Sequence, residues 1–279
     1  MFQFIRSRGS MKYRYIFIIL ALLFIILIPL FFYKRESFSD GGGGGTKQYY
    51  DCIISINIHD NVPFFMKQLD NIKNNVSCNY AVILNCNDYM YNECKNISLP
   101  SNVYINDKIL NKKRFHGSIT EGIYNNILYA IDNFNYSFFI VASSRTLFVP
   151  LSLNDLNNLK PHNDHNYDYD SWWWPHFKNT KLAKYYIEKK KKLYNSPHEG
   201  LMFTYDGCIK IVDFLENNTE IRDDLFNYDG CVEEFSLQTI SINSNEPYYY
   251  IGNGIETKNI DKNDNSRFMY KVDKDNYKD

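Results

Sequence analysis

The sequence lacks an excess of charge of either sign. Its 279 residues hold 31 Lys+Arg against 32 Asp+Glu, a formal net of −1. A general binder of nucleic acid needs a basic surplus to meet phosphates, so that class is disfavoured. The signature loops are missing too. No G-x-G-x-x-G follows the first strand-like run, where IHDNVPF stands instead, which argues against a dinucleotide-binding dehydrogenase. Neither G-x-x-x-x-G-K-[ST] nor G-x-S-x-G occurs, against P-loop and hydrolase chemistry. No C-x-x-C pair occurs, against a zinc ribbon or a thioredoxin-like site. Nothing repeats at a fixed period.

What is present is unevenly distributed. Residues 15–33 read YIFIILALLFIILIPLFFY, an uncharged run between Arg14 and Lys34. At about 1.5 Å per residue such a run spans roughly 28 Å as a helix, close to the hydrocarbon thickness of a bilayer. Arg6, Arg8, Lys12 and Arg14 precede it without an acid, so the positive-inside bias predicts a cytosolic tail over 1–14 and a single-pass type II anchor over 15–33. A cleaved signal peptide is the competing reading, but no small-residue cleavage site follows. ESFSDGGGGGTK then reads as a flexible tether over 34–47, and a folded domain is expected over 48–279. Residues 1–46 carry six basic and two acidic side chains, so the remainder is mildly acidic.

All six cysteines (Cys52, Cys78, Cys86, Cys94, Cys208, Cys231) lie beyond the anchor. An even number permits disulfides in an oxidising lumen, with about fifteen connectivities, and equally permits six buried thiols. Sequons stand at Asn75, Asn96, Asn135 and Asn217, as a luminal glycoprotein would have, in a chain so rich in Asn that several arise by chance.

From residue 48 onward, apolar runs alternate with helical patterns. CIISINI (52–58), YAVILNC (80–86), VYIND (103–107) and SFFIVASS (137–144) read as strands. Helical spacing covers 62–76 and 118–134, with Ser118 and Glu121 placed as a capping box. Later helices are expected over 181–194, 206–217 and 231–242, with a short strand at 201–205. This rhythm predicts one α/β domain built on a mostly parallel, Rossmann-like sheet flanked by helices.

In such sheets ligands bind beyond the carboxyl ends of the strands. That directs attention to Ser143-Ser144-Arg145, where an Arg could hold a phosphate bidentately or simply pair with a carboxylate. The loop HNDHNYDYD (162–170) has spacings that could hold a divalent metal, though a polar loop of this composition also arises by chance. Trp172, Trp173 and Trp174 could stack on sugar faces or pack in a core. Glu199, in SPHEG, and Glu233 and Glu234, in CVEEFSLQTI, are candidate acid–base groups. Adjacent glutamates on a helix point in different directions, so one could face a cleft while the other is solvated.

The stretch HEGLMFTYDGCIKIVDFLEN, followed after a gap by VEEFSLQTI, resembles the core-2/I-branching β-1,6-N-acetylglucosaminyltransferases and the related peptide O-xylosyltransferases, in a compact form like their microbial or viral relatives. The strand ends ISINIHD and ILNCND and the run FFIVASSRTLFVP stand in the same order. The resemblance implies a GT-A-like fold behind a type II anchor, with the domain in the Golgi or ER lumen or otherwise extracytosolic. It implies an inverting, metal-independent transfer of a sugar, of GlcNAc or xylose type, from a UDP-linked donor to a glycan or protein hydroxyl. Glu234 matches the general base, and Glu199 and Glu233 are alternative catalytic or acceptor-binding groups. Ser143, Arg145, Arg267 and Lys271 become donor-binding candidates, the basic ones offsetting diphosphate charge in place of a metal, and Trp172 to Trp174 acceptor-binding ones. No cofactor beyond the nucleotide sugar is expected. The alternatives are a catalytically silent, membrane-anchored glycan-binding protein of the same fold, and a glycoside hydrolase using Glu199 and Glu234 as its carboxylate pair.

Overall fold

The computed structural model describes residues 46–59, 61–162, 177–252 and 268–271. The expected anchor, most of the tether, the tryptophans, Arg267 and the loop beyond His162 lie outside them. The chain divides into Met1–Thr46 and Lys47–Asp279. Among the described residues, no helix is long and apolar enough to cross a membrane.

The second unit is α/β. Strands β1 (Gln48–Ile58), β2 (Tyr80–Cys86), β3 (Val103–Asn106) and β4 (Phe134–Ser143) pair in parallel in the order β3-β2-β1-β4. Two antiparallel strands, β6 (Leu201–Thr204) and β7 (Tyr248–Tyr250), extend the sheet beyond β4. A separate antiparallel pair joins β5 (Thr146–Phe148) to β8 (Met269–Lys271). The helices are α1 (Val62–Asn75), α2 (Asp88–Lys95), α3 (Ser118–Asn133), α4 (Leu153–Asn158), α5 (Lys181–Glu188), α6 (Tyr205–Asn217), α7 (Thr219–Phe226) and α8 (Ser236–Asn243).

The apolar runs explain the layering. Side chains alternate across a strand, so Ile53 and Ile54 enter different cores although both are fully buried. Ile53, Ile83, Phe139 and Phe203 meet Ile123 and Ile127 of α3 and Ile211 of α6 on one face. Ile54, Val82, Ile140 and Met202 meet Phe65, Leu69 and Ile72 of α1 on the other. Sheet strands buried on both faces are what a sequence of unbroken Ile, Val and Phe requires.

Helix starts follow from short polar residues. Asn61, Asn87, Thr180 and Thr204 each accept a backbone N–H of the first turn, and Ser152 with Asp155 forms a reciprocal capping box. The box expected at Ser118 is absent. Gly117 stands at that cap without a side-chain bond, and the Ser118 hydroxyl instead accepts from Lys113 N at 3.1 Å.

The expected helix over 181–194 stops at Glu188, because Leu193 must reach the core and Tyr194 bonds Thr239. The expected helix over 231–242 is broken into a 3-10 turn (Val232–Glu234) and α8, with Phe235 between them at φ −140°. Phe235 is fully buried and stacks on Phe177 at 4.1 Å, so its packing fixes the break.

Candidate functional site

The strand order reverses at β1, with β2 on one side and β4 on the other. Ligand crevices form at such switch points, beyond the carboxyl ends. There, Asn57, Asn85 and Asn106 of β1, β2 and β3, with Ser143 of β4, occupy one register row. The three amides donate to Ile119 O, Lys108 O and Asn125 O at 2.9–3.0 Å, which ties the connecting loops and α3 to the strand ends. Asn57 Oδ1 and Asn85 Oδ1 are buried without a hydrogen bond. The Lys112 ammonium lies over this row, donating to Asn85 O at 3.1 Å, and burial pushes it down to about 8. Gly122 of α3 is required here: a Cβ would fall 2.5 Å from both Asn57 Oδ1 and the Lys112 side chain. The only sequence signal for this row is an Asn near the carboxyl end of three successive apolar runs.

The turn Ser143-Ser144-Arg145 sits at the switch point. Ser144 Oγ lies 3.3 Å from His59 Nδ1, just beyond β1. Gln68 of α1 donates to Ser143 O and Thr146 O at 2.7 and 2.8 Å, so the turn is held from below. The Ser143 hydroxyl is engaged by Thr146 Oγ1 at 3.2 Å and serves the turn. Lys271 pairs through its backbone with Thr146, so the β5–β8 register brings it beside Arg145 in the fold, although the two are remote in sequence.

A second group assembles across from this turn. Gly200 has φ +98°, and a Cβ there would fall 2.3 Å from Gly252 N, so only glycine fits. Its N–H donates to Val141 O at 2.9 Å and its carbonyl accepts from Ile251 N at 2.9 Å. The preceding residues, His198 and Glu199, are thereby fixed at the carboxyl end of β4. Ser196 N donates to Glu234 O at 2.9 Å, and Thr239 Oγ1 both accepts from Tyr194 N and donates to Tyr194 O. This lacing carries Glu233 and Glu234 to His198.

His198 Nδ1 lies 3.4 Å from Glu199 Oε2 and 3.6 Å from Glu234 Oε1, at ion-pair distance without a well-aligned hydrogen bond. Burial alone would lower the imidazole. Glu199, Glu234 and Glu233 together outweigh it and carry His198 up to about 9. Burial pushes Glu233 up to about 7, although His198 pulls it down, and its Oε2 has no hydrogen-bond partner.

The expectation of one solvated glutamate is corrected. Glu233 is buried, and Glu234 keeps 17% side-chain exposure, which leaves it a narrow opening. One ligand atom each from His198, Glu233 and Glu234 lies within 4.8 Å of the others, a donor set that would also suit a divalent cation. Nothing local in SPHEG or HEGLMF marks His198 as functional, because its role depends on a residue pair more than thirty positions away.

The described residues thus bring Glu199, Glu233 and Glu234 together and place Ser143 and Arg145 at the neighbouring switch point. Trp172, Trp173, Trp174 and Arg267 lie outside the description. A cavity of about 330 Å³, lined by Tyr50, Cys78 and Asn102 among others, lies at the amino ends of β1–β3, away from both groups. No protein-family model matches the chain, and no curated protein matches it.

Proposed function

We propose that the chain is an inverting, metal-independent glycosyltransferase of GT-A-like fold, anchored by residues 15–33, with its domain on the extracytosolic side. The donor is a UDP-linked sugar of GlcNAc or xylose type and the acceptor a glycan or protein hydroxyl. The observation that carries this reading is Glu234, partly open to solvent at the carboxyl end of the sheet and flanked by the similarly part-buried imidazolium of His198. In the reaction Glu234 takes the acceptor hydroxyl proton. The oxygen forms its bond to the sugar C1 while the C1–O bond to the diphosphate breaks on the opposite face. Arg145 and Lys271, adjoining through the β5–β8 register, are the candidates to meet the leaving charge. His198 holds Glu199 and Glu234 in place and offsets their charge where a metal-dependent enzyme would use a cation.

The test is Glu234→Gln in a transfer assay across common UDP-sugars. Turnover should fall by about 10²–10⁴-fold, while nucleotide binding by calorimetry is retained. Unchanged turnover removes Glu234 from the role of base. Activity should survive EDTA; complete loss would make His198, Glu233 and Glu234 metal ligands instead.

A further inference from the structure

Two of the six cysteines meet as a pair. Cys52 of β1 and Cys78, two residues before β2, place their sulfurs 3.5 Å apart. Cys86, the last residue of β2, and Cys94, in the last turn of α2, are buried in one core. Cys208 neighbours the Tyr136 hydroxyl, and Cys231 faces Glu233 and Glu234. All six are thiols in this structure.

We propose that Cys52–Cys78 is a site of oxidation to a disulfide, formed by exchange with a disulfide oxidant. The backbone already brings Cys52 and Cys78 to sulfur contact. Closing 3.5 Å to a bond of about 2.05 Å needs side-chain rotation, with the strands left in place. The contact also reduces the fifteen or so full pairings that composition allows to about three.

The pair has a route and an order of attack. Cys78 is half-buried and lines the cavity at the amino ends of β1–β3, whereas Cys52 is fully buried. The hydrogen bond from Cys52 eases Cys78 toward thiolate, while the same bond and burial hold Cys52 as a thiol. The Cys78 thiolate attacks one sulfur of the oxidant's disulfide, forming a mixed disulfide and expelling one thiolate. Cys52 then loses its proton and attacks Cys78 Sγ, expelling the second thiolate. Two electrons pass to the oxidant, whose two sulfurs leave as thiols once protonated.

The proposal does not rest on the sugar-transfer reading, since neither cysteine belongs to the carboxylate cluster. The test is mass-spectrometric peptide mapping of the full-length chain, alkylated in denaturant without reductant. One sample is made through a secretory compartment; a second is made reduced and then held, folded, with oxidised glutathione. The expected result is Cys52 joined to Cys78 in both samples. In a Cys78→Ser chain, Cys52 should be alkylated. Free Cys52 and Cys78 in both samples, or their joining to other partners, overturns the proposal.

Discussion

Glu233 and Glu234 adjoin in sequence, but burial raises the first to about 7 while the second keeps an opening to solvent. Between them and Glu199, His198 supplies the one positive charge that the cluster contains among the described residues. Replacing His198 by Gln removes that charge and leaves three carboxylates facing one another. Wild-type turnover should therefore fall as pH rises through about 9, where His198 loses its proton. In His198→Gln that alkaline limb should be gone and turnover low throughout, as read from a pH–rate profile. Gly200 carries the geometry. At φ +98°, with Gly252 N 2.3 Å from a built Cβ, Gly200→Ala is strained and clashing together. It should cost at least about 1–3 kcal/mol in urea denaturation and reduce transfer further than stability alone explains.

At the scale of elements, β1, β2 and β4 were legible in the sequence because each is a largely apolar run buried on both faces, and the half-buried edge strand β3 from its Val, Tyr and Ile. For the same reason α1 and α3 were legible from their apolar spacing. The short α2, α4 and α7 were not, since their six to eight residues expose most of their surface and follow from caps such as Asn87 and Ser152. The break at Phe235 was also invisible. Helical spacing continues through it, and only the stack on Phe177 reveals that the side chain leaves the helical path. Glu234 was found through a resemblance in its local string, whereas His198 and the Asn57–Asn85–Asn106 row needed the register of strands. Phe235→Ala should destabilise by about 3–5 kcal/mol. Because Phe235 adjoins Glu234, the loss should appear as reduced kcat in a transfer assay at temperatures where the variant is still folded.

For the whole molecule, the cluster predicts a stability that declines toward alkaline pH. His198 is raised from 6.5 to about 9, so its contribution is complete below about 6.5 and lost as pH rises through about 9. Glu233 is raised from 4.5 to about 7, so the folded state favours its neutral form and loses stability as pH rises between those values. Both act in the same direction, and Lys112, lowered from 10.5 to about 8, opposes them only above about pH 8. Urea midpoints should fall from about pH 5 to pH 8, and in His198→Gln the fall above pH 7 should flatten. A wild-type midpoint that rises over that range would contradict the placement of the imidazole among the carboxylates.

The β5–β8 pair adds a constraint of timing. Strands β1 to β4 can assemble their parallel core as soon as residue 143 has emerged from the ribosome, because each finds its neighbour upstream. β5 cannot, since its partner is the last described strand of the chain. Phe268 and Met269 also bond Ile251, which holds Gly200, so the loop bearing His198 waits on the same late arrival. A nascent domain would thus carry a finished scaffold and an unfinished site until β8 has emerged. A chain released early would be foldable in its core and blank at the switch point.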